Sequence, residues 1–349
     1  MSQLHEVTER HRFDVARLST FLADKLPAWS GPLEVKQFQG GQSNPTYLLS
    51  TPGRQYVMRS KPGPVAKLLP SAHAIEREFR VMRALQTQGI PVPQVYVLCE
   101  DESVIGRAFF VMEHVEGRIL WDQALPDATP MQRAEIYDEM NRVIAALHSV
   151  DVAAAGLADY GKAGNYFARQ IARWSKQYQA SETETIDAMN RLIEWLPLHI
   201  PPGEDIAVVH GDYRLDNLIF HPREPRIIAV IDWELSTLGH PLADFSYHCM
   251  SWRIPPGAFR GISGLDHGAL GIPTEAQYIA RYCERTGRTG IEHWDFYLAY
   301  NLFRIAGILQ GVYKRATEGI ASSNNALDAG RRARGLAELG WQLAQQARV

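Results

Sequence analysis

The chain has 349 residues, 46% hydrophobic and 21% charged, with 27 Gly and 20 Pro, which suits one large domain or two packed lobes and excludes disordered, collagen-like and coiled-coil classes. Lys and Arg number 36 against 39 Asp and Glu, a formal charge of −3, so the basic excess of a nucleic-acid binder is missing. No apolar run approaches the ~18–20 residues of a membrane span, the start MSQLHEVTERHRFDV is polar, and Cys99, Cys249 and Cys283 are too scattered for a disulfide framework or a zinc site. The expectation is a soluble cytoplasmic protein with no nucleic-acid or membrane partner.

Residues 35–50, VKQFQGGQSNPTYLLS, read as two extended stretches around a Gly-Gly turn. TPGR at 51–54 is a second turn, and QYVMRS at 55–60 resumes a strand. A helix is predicted near 71–88, where Ile75, Phe79, Met82 and Leu85 recur at helical spacing before Gly89 and Pro91 stop it. Residues 92–99 and 107–115 read as two more strands, giving β-β-β-α-β-β over residues 1–115. After Gly117, Thr129 followed by Pro130 caps a helix through Leu147, and further helices fit 165–180, 184–197, 274–287, 292–317 and 324–346. Short apolar stretches at 205–233 interrupt the helical run, and 253–271 is a long irregular loop. The predicted class is therefore α+β: a small strand-rich lobe over 1–115 and a larger helical lobe over 116–349.

The strongest chemical signal is His210-Gly211-Asp212-Tyr213-Arg214-Leu215-Asp216-Asn217, followed by Ile231-Asp232-Trp233-Glu234 at the end of an apolar run. Phosphoryl transfer from ATP needs metal ions on the phosphates, a carboxylate near the attacking hydroxyl and cations on the developing charge. Asp212 can accept the hydroxyl proton, Asn217 and Asp232 offer oxygens suited to Mg²⁺, and Arg214 can reach the transferred group. A chance H-G-D-x₄-N in a chain of this length is on the order of one in a thousand. Turn formation is the plain alternative for Asp212 and Asn217.

This spacing matches the catalytic and metal loops of protein kinases, and the sequence resembles the aminoglycoside phosphotransferase family of kinase-like enzymes. The resemblance implies a two-lobed protein-kinase-like fold with an antiparallel-sheet N-lobe and ATP in the cleft between lobes. Gly40-Gly41-Gln42-Ser43-Asn44 would be the glycine-rich hairpin, with Gly41 and Ser43 near phosphate. Arg59 stands where the strand lysine is expected, with Lys61 two residues on as an alternative cation, and Glu78 as the helix partner that braces it. The backbone at Glu113 and Val115 would meet the adenine edge.

GGQSNPTYLL, SAHAIEREFRVMRAL, HGDYRLDNLIF and IDWELSTLGHPLADF look closest to the kinase-like domain fused to acyl-CoA dehydrogenases. That branch implies a 4-hydroxyacyl-CoA as the hydroxyl substrate and a functional link to an acyl-CoA dehydrogenase, which would be a separate protein. An aminoglycoside acceptor and a nucleotide-binding module without turnover are the other readings. Asp244 is expected to tie down the metal loop, His248 to be a packed histidine, and the P-loop-like 156–163 and the Arg331, Arg332 and Arg334 cluster to carry no site.

Overall fold

The computed structural model describes residues 4–26, 29–39, 44–62, 74–319 and 326–347. In chain order the strands are β1 (Leu4–His5), β2 (Glu34–Phe38), β3 (Thr46–Thr51), β4 (Arg54–Ser60), β5 (Val95–Cys99), β6 (Phe109–Glu113), β7 (Arg118–Ile119), β8 (Ala207–Val209), β9 (Leu218–Phe220), β10 (Ile227–Val230) and β11 (Thr237–Gly239). The helices are α1 (Val15–Ala23), α2 (Ile75–Gln86), α3 (Pro130–His148), α4 (Tyr166–Ser181), α5 (Asp187–Trp195), α6 (Pro241–Cys249), α7 (His267–Leu270), α8 (Glu275–Thr286), α9 (Trp294–Thr317), α10 (Ala326–Gly330) and α11 (Ala333–Gln346). They fall into two compact units, one of residues 1–119, 153–157 and 217–236, the other of residues 120–152, 158–216 and 237–349.

The first unit holds an antiparallel sheet in the order β1-β2-β3-β4-β6-β5. Side chains alternate across a strand, and the pattern here is two-sided. Tyr47, Leu49, Tyr56, Met58, Phe109 and Val111 join Leu18 and Leu22 of α1 in one core. On the other face Phe110 meets Phe79 of α2 edge to face. Fully burying each such side chain contributes about 1.5–3 kcal/mol. The same alternation places Arg59 on the Val57 side of β4, the side α2 covers. Helix α1 and strand β1 escaped the sequence reading. Leu18 and Leu22 are the only α1 residues buried, too sparse a stripe to stand out.

In the second unit, α9 is buried along most of its length and is flanked by α4, α5, α6, α10 and α11. Capping boxes start α3 at Thr129 with Gln132 and α8 at Thr274 with Gln277. The helix expected at 324–346 is broken into α10 and α11. Gly330 lies so close to Tyr313 that a Cβ there would come within 2.3 Å of the tyrosine Cβ. The helix expected at 184–197 stops at Trp195 and tightens into a 3₁₀ turn over Leu196–Leu198, which contains Pro197. Within 253–271 only α7, capped by the Asp266 side chain, is regular. Among the described residues, no helix is long and apolar enough to cross a membrane.

Candidate active site

In the first unit the chemistry gathers around one cation. Arg59 lies near the end of β4, paired with Thr46 on β3 and Phe110 on β6. Its guanidinium contacts Glu78 on α2 at 3.3 Å and donates to Asp232 Oδ1 and Glu234 Oε2, each at 2.9 Å. Glu78 shares the buried face of α2 with Ile75, Phe79 and Met82, and Asn44 Nδ2 donates to its Oε1 at 3.1 Å. Lys61 is engaged elsewhere, 3.0 Å from Glu76. Between the two candidate cations, Arg59 is the one that meets Asp232.

Asp232 lies two residues past β10, at the start of a 3₁₀ turn, with φ +68, a left-handed conformation that aspartate tolerates better than most residues. Asn217 directly precedes β9, is buried, and its carbonyl accepts from Ile231 N at 2.9 Å. That bond locks the residue before Asp232 to Asn217. One guanidinium faces three carboxylates in this cluster. Burial pushes the Glu78 carboxyl up to about 7; Arg59 opposes the shift while Asp232 and Glu234 add to it. Within the cluster the Asp232 and Glu234 side chains keep partial exposure, whereas that of Glu78 is almost wholly buried.

Carboxylate and amide oxygens are hard donors of the kind Mg²⁺ takes, so the chemistry of the set fits that ion. Among the described residues, no three or more His, Cys, Asp or Glu side chains gather to cage a metal by themselves. Gly41 and Ser43 lie outside the described residues. Glu113 ends β6, and its amide donates to Gln94 O at 2.7 Å while Gln94 N donates to its carboxylate at 3.1 Å. Val115 follows in the irregular segment before β7.

In the second unit the turn after β8 presents Asp212. Gly211 adopts φ +83, which a side chain would strain. The amides of His210 and Gly211 donate to the two oxygens of Asp244 at 2.7 and 2.8 Å. Asp244 therefore ties down the Asp212 loop, not the metal loop expected from sequence, because it sits in the first turn of α6 beside the end of β8. Burial alone would raise its carboxyl. His148, 3.2 Å away, and the His210 amide overcome that and hold it below the usual carboxylate range. His148 is itself bonded to the Tyr282 hydroxyl at 2.8 Å.

Both oxygens of Asp212 are engaged. Tyr247 donates its hydroxyl to Oδ1 at 2.5 Å, and Arg214 Nε lies 3.0 Å from Oδ2. Arg214 and Arg260 also converge on Asp216 Oδ2 at 3.5 and 2.9 Å. Arg304 of α9 donates to the Gly211 carbonyl at 2.7 Å. His248 pairs with the Tyr278 hydroxyl at 2.7 Å, and burial lowers it to about 4, as a packed, neutral histidine. Arg331 and Arg334 make exposed pairs with Asp328 and Glu184, and 156–163 is a run of turns.

Sequence reasoning gave no role to Glu234, Tyr247 or Arg304. Tyr247 was within reach, since it lies three residues past Asp244 and shares its helix face. Arg304 left no signal, because its partner Gly211 is 93 residues away in sequence.

An antiparallel sheet followed by a mainly helical region, with an aspartate turn and a strand-end aspartate, is the fold of the kinase-like phosphotransferases. The chain belongs to the phosphotransferase enzyme family, whose model matches residues 34–297. It is 50% identical over 90% of its length to acyl-CoA dehydrogenase family member 10 of Mus musculus, and 41% identical over 98% to family member 11 of Rattus norvegicus. It spans only 30% and 44% of those two relatives. A Ralstonia eutropha structure classed provisionally as an aminoglycoside phosphotransferase shares 60% identity at a TM-score of 0.90, covering 97% of this chain and 100% of that one. The hygromycin-binding phosphotransferase APH(4)-Ia, solved with AMP-PNP, shares the fold at a TM-score of 0.59 and 20% identity, covering 93% of this chain and 98% of its own.

Proposed function

We propose that this protein transfers the γ-phosphoryl group of ATP to the hydroxyl of a small molecule, and that the acceptor is a 4-hydroxyacyl-CoA. The observation that carries the transfer is Asp212, a carboxylate presented on a glycine turn, one oxygen accepting from Tyr247 and the other ion-paired with Arg214. Asp212 takes the proton of the acceptor hydroxyl as that oxygen bonds to the γ-phosphorus and the bond to the ADP oxygen breaks. Arg214 neutralises charge developing beside Asp212. Arg59, braced by Glu78, positions the phosphates. Any adenine contact at Glu113 uses its carbonyl, because its amide is spent on Gln94, and Val115 supplies the amide. Asn217 and Asp232 would hold Mg²⁺, which would screen the phosphate charge.

The acceptor class rests on the acyl-CoA dehydrogenase family relatives at 41–50% identity, and it carries with it a working link to such a dehydrogenase. A polycationic aminoglycoside is less suited to a loop where Arg260 and Arg214 crowd the buried Asp216. The test is ADP release from Mg·ATP with a 4-hydroxyacyl-CoA against a no-acceptor control. Acceptor-dependent release is expected. Release only with hygromycin or spectinomycin would overturn the acceptor, and failure to bind Mg·ATP would overturn the phosphotransferase reading itself.

A further inference from the structure

Asp244 and Tyr247 are three residues apart on α6, so both side chains leave one face of the helix. Asp244 takes the amides of His210 and Gly211, and Tyr247 takes the side chain of the next residue, Asp212. A single helix face thus grips three consecutive residues of the loop. Tyr247 is only 4% exposed. The Arg304 guanidinium lies 5.1 Å from its ring centroid, while its Nη2 donates to the Gly211 carbonyl. The same cation also lies 5.6 Å from the Trp174 ring.

The ring is clamped, and its hydroxyl direction follows. Burial raises the phenol well above its usual range, and the Asp212 carboxylate raises it further. At neutral pH the group therefore keeps its proton and acts only as a donor to Oδ1. The terminal torsion of an aspartate is broad, so a directed donor on Oδ1 narrows the range over which the carboxylate turns.

We propose that Tyr247, clamped by Arg304, is a positioning residue that fixes the rotation of the Asp212 carboxylate toward the acceptor hydroxyl. This rests on the phosphotransferase reading for its consequence but not for the contact. Misplacing a reacting group by about 1 Å costs on the order of 100-fold in rate. Tyr247→Phe keeps the ring and its packing and deletes only the hydroxyl.

Two measurements test it. With 3-fluorotyrosine placed at position 247 alone, the ¹⁹F resonance is expected to move when Asp212 is replaced by Asn. An unmoved resonance overturns the pairing whether or not any acceptor is turned over. In the second, Tyr247→Phe should lower kcat by about 10–100-fold, with the Mg·ATP dissociation constant, the acceptor KM and the thermal midpoint all held near the parent. A purely structural tyrosine would lower the midpoint and spare kcat, and parent-like kcat overturns the positioning role. Absence of acceptor-dependent turnover in the parent counts against the phosphotransferase reading alone, and the fluorine result then decides the contact.

Discussion

Arg59 and Asp212 anchor two clusters of opposite plan. Around Arg59 one guanidinium meets three carboxylates, those of Glu78, Asp232 and Glu234. Around Asp212 one carboxylate meets the Tyr247 hydroxyl and Arg214, and Arg214 and Arg260 meet again on Asp216. Asp212 is held at one oxygen by a hydrogen bond and at the other by an ion pair, and that suits a group whose orientation decides a rate. The Arg59 cluster holds an acid, Glu78, pushed up to about 7 by burial and by its carboxylate neighbours. Carboxylate oxygens gathered at one place suit the metal and nucleotide role proposed for this cluster.

The sharpest way to break the contrast is Asp212→Ala. Turnover should fall about 10²–10⁴-fold with Mg·ATP affinity nearly kept, because a general base acts in the transition state. Unchanged turnover in steady-state kinetics would sink the assignment. Asp232→Ala should do the reverse and weaken magnesium-dependent nucleotide binding about tenfold or more, equivalent to about 1.4 kcal/mol. Equal affinity in mutant and parent by calorimetry removes its role. Arg59→Ala should cost stability as well, about 3–5 kcal/mol, since Glu78 is left buried without its cation. A denaturation midpoint within error of the parent would show that the guanidinium is not what holds the cluster.

Gly211→Ala strains a backbone at φ +83 and should cost about 1–2 kcal/mol per its left-handed conformation, with a fall in kcat as Asp212 is displaced. The last effect is read as a slope with pH. The folded-state pKa of Glu78 is raised from 4.5 to about 7, so the folded protein binds the extra proton over that interval. Its contribution is fully present below pH 4.5 and is lost as pH rises through about 7. In Glu78→Gln the decline in thermal midpoint across this window should flatten, and an identical slope in both proteins would rule Glu78 out as its source.

The amino-acid order by itself determined the α+β class and most of the strands of the first unit. It also showed the Asp212 and Asp232 motifs, since periodicity and turn residues are local properties of a chain. Helix spacing singled out Glu78, and the resemblance to kinase-like enzymes singled out Arg59. Tertiary structure alone decided which cation met Asp232, that Glu234 joined it, and that Asp244 held the Asp212 loop. The breaks in the last helices were decided the same way, Gly330 by its contact with Tyr313. The clamp of Arg304 on Gly211 and Tyr247 spans residues far apart in sequence, and such contacts depend on how helices pack, which no local pattern encodes.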